Sequence, residues 1–321
     1  MSDINPPAPQ STRRQRLFRL EAVVLRHTDW GEADRLIWLF TREMGKLRAV
    51  AKGVRKPRSR KAGHLEPFTR VNLLLARGRD LPLITQADTV DAYLPLRDSL
   101  LRTTYASYIV ELLDRFTFEE ASLTSAKENR ALYRLLTDTL ERLSQAENPA
   151  SSSPAQTVGR GSPELAVRYY EMRLLDFVGF RPQLFTCTVC GAEILPQDQY
   201  FSPRQGGVLC PTCGSPSAAL NRPADHDDLV ESEPHPASAA RPISMKALKY
   251  LRHFQRSSYA EAARAVLTPI LNRELEGIMQ GYITYVLERG LNTPSFIRRV
   301  RQNLRDTPSE TGDAQEPPPE S

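Results

Sequence analysis

The chain has 321 residues, enough for two or three domains, with 40% hydrophobic residues and a formal net charge of +5. No run of eighteen apolar residues occurs, so no segment is expected to span a membrane, and the first ten residues, with three prolines and an Asp, lack the apolar centre of a secretory signal. Four clustered cysteines are too few for a disulfide framework, and the expected compartment is cytoplasmic.

Residues 1–15 are Pro-rich and polar and are expected to form a disordered tail. From 16 to 95 the pattern is that of short strands: Leu20 to Arg26, Arg35 to Thr41, Leu47 to Lys52, Arg70 to Ala76, and Leu81 to Tyr93, the last interrupted by Pro82. Five strands in so short a span suit a small closed barrel. An OB barrel is the commonest such solution and frequently binds single-stranded nucleic acid, while an SH3-like barrel fits the pattern nearly as well.

The charge is unevenly placed. Arg13 to Arg79 holds eighteen Lys and Arg against six acids, or +12, so the remainder of the chain sums to 5 − 12 = −7. Between Lys52 and Lys61, six basic residues (Lys52, Arg55, Lys56, Arg58, Arg60, Lys61) stand in ten positions without an acid, and Pro57, Gly53 and Gly63 argue for a loop. Such a loop is suited to a polyanion; its structural alternative is a solvated charge run. With Lys46, and with help from Arg35, Arg70, Arg77 and Arg79, it supplies the expected contacts to a phosphate backbone. Trp30, in a predicted turn, is the better candidate of the two for stacking on a base, with simple packing as its alternative, whereas Trp38 lies in an apolar strand and is assigned to the core.

After Leu94-Pro95 the apolar period changes to about 3.6. Arg97 to Phe118 is expected as a long helix with the stripe Leu100, Tyr105, Tyr108, Ile109, Leu112, Leu113 and Phe116, and Asn129 to Leu143 as a second. Residues 144–162 read as a linker within a helical part spanning 96–184. Ser162-Pro163-Glu164 carries helix-start chemistry, and that helix is expected to stop at Gly179. A cysteine element follows at 185–216 and a Pro, Ala and Asp-rich insertion at 217–242. Helices return over 243–304, with Thr268-Pro269 marking a break or a fresh start, and 305–321 form an acidic tail expected to be disordered. The fold class expected is α+β and multidomain: a five-stranded OB-like barrel, then an all-α body with an inserted four-cysteine element.

Cys187 and Cys190 form one C-x-x-C pair and Cys210 and Cys213 another, each followed directly by glycine (Gly191, Gly214) that permits a tight knuckle. Four thiolates at this spacing match tetrahedral Zn²⁺, one ion, in a closed structural site with no open coordination position. The rival reading is a pair of redox motifs, which the duplication and the lack of a neighbouring βαβ unit oppose. No phosphate-cradling loop or dinucleotide fingerprint is present, and the five histidines are scattered, so the chain is expected not to be an enzyme.

The segments Glu21-Ala-Val-Val-Leu-Arg26, Gly31-Glu-Ala-Asp-Arg-Leu36, Leu39-Phe-Thr-Arg-Glu-Met-Gly45-Lys46, Ala49-Val-Ala-Lys-Gly53-Val-Arg55 and Leu65-Glu-Pro-Phe68 resemble, in order and spacing, the amino-terminal domain of the bacterial RecO recombination mediators. The later helices and the four cysteines extend the resemblance to about 16–300. It implies an OB domain on a helical body, binding to single- and double-stranded DNA, annealing of complementary strands, association with the nucleoid, and capture of the tail of the single-strand DNA-binding protein. It also implies joint action with RecR in loading RecA, with RecF and RecA as indirect partners. Two other classes compete on composition alone: a protein-assembly adaptor, and an RNA-binding OB and zinc-ribbon protein.

Overall fold

The computed structural model describes residues 17–119, 125–146, 161–215, 239–288 and 290–306. The expected tail at 1–15, most of the linker at 144–162, most of the insertion at 217–242 and most of the acidic tail at 305–321 lie outside the described residues.

Five strands, β1 (Leu17–Trp30), β2 (Asp34–Thr41), β3 (Gly45–Ala51), β4 (Arg70–Ala76) and β5 (Leu83–Asp91), close into a barrel in the order β1-β2-β3-β5-β4. All neighbours are antiparallel except β3 and β5, which meet in parallel at Val50 and Leu83. This is the OB-like solution. β1 is twice the length its apolar run suggests because it serves two partners: Leu17 to Val23 pair with β4, and Ala22 to Trp30 pair with β2. A register shift between Val24 and Arg26 lets the strand turn the corner that closes the barrel.

β1 and β2 read as apolar on both faces because, around Ala22–Leu25 and Leu36–Thr41, both faces are covered. Ala22, Val24, Ile37, Leu39, Ala49, Ala51, Val71, Leu73 and Ile84 fill the barrel. Val23, Leu25 and Phe40, on the other face, join the core of the helical body. Trp38 belongs to this seam rather than to the barrel interior: it is partly buried against the helical core, with the Arg26 guanidinium 3.6 Å above its ring.

The body is built from α1 (Leu94–Arg97), α2 (Leu100–Phe116), α3 (Ala126–Gln145) and α4 (Pro163–Phe177), then, after the short α5 (Pro211–Gly214) of the cysteine segment, from α6 (Met245–Arg256), α7 (Tyr259–Ala262), α8 (Pro269–Leu287) and α9 (Thr293–Asp306). Hydroxyl caps set the starts: Ser99, Ser125, Ser162, Ser244, Ser258 and Thr268 each accept a first-turn N–H. The Ser99 cap divides the expected single helix from Arg97 into α1 and α2, and leaves Leu100 exposed rather than in the stripe. Thr268 opens a fresh helix, and α4 ends at Phe177 with Gly179 at φ +85° beyond it. The expected helix at Asn129 starts earlier, at Ala126, where Ser125 and Glu128 form a capping box.

The cysteine segment is joined to this body. Its strands β6 (Gln199–Ser202) and β7 (Gly207–Leu209) pair with each other, and β8 (Arg241–Ile243), from beyond the insertion, completes the sheet on β6. Leu184, Ile194, Phe201, Val208 and Leu209 lie in the same core as α4, α6 and α8.

Candidate nucleic-acid interface and metal centre

Three connections meet at one end of the barrel: the β1–β2 turn, the long β3–β4 segment carrying the basic loop, and the β4–β5 loop. The Arg55 N–H donates to Ala33 O (3.0 Å) and the Gly53 N–H to Asp34 Oδ1 (2.7 Å), which binds the loop to the first turn. The Lys61 ammonium donates to Lys52 O (3.1 Å) and Ile84 O (2.9 Å), which binds it to β5. The equivalent loops and the β2–β3 face bind oligonucleotides in OB folds.

The candidate cations sort into two sets. Lys52, Lys56, Arg58 and Arg60 on the basic loop and Arg77 and Arg79 on the β4–β5 loop are exposed, and their side chains make no ion pair or hydrogen bond among the described residues. Arg55 is close to them but faces Asp29 at 3.4 Å and donates to Gly31 O. Lys61 is half-buried, and burial pulls its ammonium below the ordinary lysine range against the attraction of Asp34. Trp30, at the end of β1, is 55% exposed beside this cluster.

Three expected contacts are engaged by carboxylates of the fold. Lys46 is turned into the seam, its ammonium 2.7 Å from Asp114 Oδ1 and bonded to Asp114 O and Thr117 O. Arg70 is bonded to Glu21, which also accepts from the Tyr133 hydroxyl on α3. Arg35 bridges Asp29 and Glu66 across the barrel end. These three hold the fold. Sequence composition could not separate them, because spacing along a strand does not tell which cation meets a carboxylate from a distant segment. Arg26, Arg42 and Arg48 likewise pair with Asp114, Glu21 and Glu119.

The four cysteines converge. Their sulfurs all lie within 4.8 Å of one another, with Cys190 Sγ and Cys210 Sγ 3.8 Å apart. A tetrahedron with metal–sulfur bonds of about 2.3 Å has edges of about 3.8 Å, so the spacing suits a single ion. The two knuckles are built alike, Gly191 N–H to Cys187 O and Gly214 N–H to Cys210 O, both 2.9 Å. The glycines serve different needs. Gly191 takes φ +72°, whereas at Gly214 a Cβ would collide with the Tyr200 side chain packed against it. Burial raises the Cys187 thiol, but the N–H groups of Cys190, Cys210 and Val189 outweigh it and bring the thiol down to about 6. Cys213 is pushed up to about 12 by burial and by the neighbouring thiols. An ion at the centre would remove that crowding by drawing all four to thiolates.

The model for the Recombination protein O N terminal region matches residues 16–93, and the model for its C terminal region matches residues 97–294. The chain belongs to the Recombination protein O family. It is similar to a protein named DNA repair protein RecO from Roseiflexus sp. (strain RS-1), 36% identical over 300 residues that cover 93% of this chain and 92% of that protein. A RecO protein from Dehalococcoides mccartyi (strain ATCC BAA-2266 / KCTC 15142 / 195) is 32% identical over 272 residues, 85% of this chain and 91% of the relative. That of Desulforamulus reducens is 31% identical over 290 residues, 90% and 97%. Membership in the RecO family supports a role in DNA repair and recombination. No helix among the described residues is long and apolar enough to cross a membrane.

Proposed function

We propose that this chain is a DNA-binding recombination mediator that anneals complementary single strands and, with RecR, helps load RecA onto DNA coated by the single-strand DNA-binding protein. The carrying observation is the convergence of six cations, without a partner among the described residues, and an exposed Trp30 on the three-loop end of an OB-like barrel. Cations that meet phosphate release condensed counterions, so binding is steeply salt-dependent and indifferent to sequence, on single and double strands alike. A strand held by its backbone presents its bases for pairing. Annealing therefore needs positioning and charge neutralisation, with no covalent step.

The helical body is the recruiting surface in this reading, for RecR and for the acidic tail of the single-strand DNA-binding protein, with RecF and RecA reached indirectly; its place of work is the cytoplasmic nucleoid. The ion at the cysteine cluster is Zn²⁺, with a structural role. Four sulfurs leave no coordination position for substrate, and thiolates favour a soft tetrahedral ion. Cys187, Cys190, Cys210 and Cys213 would hold it, and its effect is to tie the cysteine element to the body.

The test is annealing of complementary oligonucleotides, bare and coated with the single-strand DNA-binding protein. Acceleration in both cases is expected. Absence of salt-sensitive DNA binding would leave an assembly adaptor, and preference for RNA of the same sequence would redirect the assignment to an RNA-binding protein.

A further inference from the structure

A second cationic surface lies away from the three-loop end, in a groove of about 710 Å³ between the barrel and helices α3 and α4. Its lining carries seven basic side chains and one acid, Asp138. Four of the seven are engaged within the fold. Arg70 is bonded to Glu21, Arg42 lies 3.7 Å from Glu21 and Glu43, Arg142 stacks on Tyr259 and pairs with Asp138, and Arg173 meets Asp176. The other three are Lys127, Arg130 and Arg134 on α3, exposed and without a partner among the described residues.

Those three occupy positions i, i+3 and i+7, one face of a helix. At 1.5 Å per residue they span roughly 10 Å, the axial length of about three nucleotides at 3.4 Å each. Six of the seven cations are arginines, whose flat fork suits phosphate oxygens, and Phe177 provides an exposed ring in the same wall. The groove starts at Arg42 and Arg70 on the barrel, so it continues the domain that carries the first site without sharing its loops.

We propose that this groove is a second single-strand binding track, so that one chain holds two nucleic-acid strands at once, one on the loop end of the barrel and one along α3. The inference rests on the strand-annealing reading above and gives it a mechanism. Two backbones carried by one molecule meet at a local concentration that free strands do not reach, and the charge between them is neutralised by the protein.

The experiment counts strands. Native mass spectrometry of the full chain with short oligothymidylates, which cannot pair with one another, is expected to give two strands per chain. The variant Lys127→Ala/Arg130→Ala/Arg134→Ala is expected to give one, with an unchanged melting temperature because all three residues are exposed. The salt slope of its total binding should be shallower by about two units, from three lost contacts at about 0.7 each. Two strands per chain in the triple variant would overturn the proposal. So would a triple variant that keeps both strands but loses binding of a synthetic poly-aspartate peptide, which would assign the groove to an acidic protein segment. Failure of the unaltered chain to bind any oligothymidylate would instead overturn the annealing reading itself.

Discussion

Lys46 and Asp114 join the two halves of the molecule: the ammonium on β3 lies 2.7 Å from the carboxylate in the last turns of α2, and both side chains are nearly shielded from water. The same ammonium bonds to the carbonyl of Asp114, and Asp114 Oδ1 is otherwise a buried oxygen without a hydrogen bond among the described residues. Removing the cation leaves the carboxylate to Arg26, which meets Oδ2 at 3.1 Å, and takes the ammonium away from Oδ1. Lys46→Met is expected to lower stability by about 2 kcal/mol, the scale for a hydrogen bond to a charged group, measured by urea unfolding. It should leave the salt slope of DNA binding unchanged, which separates a seam residue from a phosphate contact.

The cysteine element shares the helical core, so loss of its metal should reach further than the element itself. Purified protein is expected to contain about one zinc per chain by metal analysis. Cys187→Ser, or chelation, should abolish the metal and lower the melting temperature of the whole body, because Leu184, Phe201 and Val208 pack with α4, α6 and α8. Gly214→Ala should do the same more mildly, through the clash with Tyr200. All four thiols titrating freely in the untreated protein would remove the metal from the account.

Glu171 gives a pH dependence of defined sign. It is wholly buried on α4, accepting from the Tyr108 hydroxyl at 2.7 Å, while Arg168 stands 3.1 Å away but off the hydrogen-bonding line. Burial raises its carboxyl to about 7, against Arg168 and Tyr108, and Glu276 adds a smaller push in the same direction. An acid whose folded value lies above its unfolded value, near 4.3, contributes stability present below about pH 4 and lost as pH rises through 7. Glu171→Gln cannot ionise and should be better tolerated at pH 8 than at pH 5. Denaturant unfolding of both proteins at the two pH values checks this, and an equal difference at each pH would contradict it.

Local signals made much of this fold legible. Period-two apolar runs marked the five strands, Ser162-Pro163 marked a helix start, Thr268-Pro269 marked a break or a fresh start that the structure resolves as a start, and the cysteine spacing predicted a cluster that the structure brings together. What was not legible depends on distant partners. β1 exceeds its apolar run because two strands claim it, and Trp38 faces the seam because the helical body covers that side of the barrel. Helix α9 falls within the helical part expected over 243–304 but was not marked as an element of its own, since its apolar content is sparse. Ile297 and Val300 are buried, but Glu111 receives the N–H groups of Asn292 and Thr293, and Arg301 reaches Glu276 and the Tyr105 hydroxyl. Those carboxylates lie far away in the sequence. The same blindness grouped Lys46 and Arg70 with Lys56 and Arg58, although the first two face carboxylates and the last two face water.

The central claim is that the exposed cations at the loop end grip sugar-phosphate backbone. The most direct measurement is the salt dependence of single-strand binding for the full chain and for Lys52→Ala/Lys56→Ala/Arg58→Ala/Arg60→Ala, by fluorescence titration across a range of salt. Four lost contacts at about 0.7 each should make the slope shallower by about three units, with affinity falling sharply at low salt and stability unaltered. An unchanged slope and affinity would contradict the claim and leave the loop a solvated charge run.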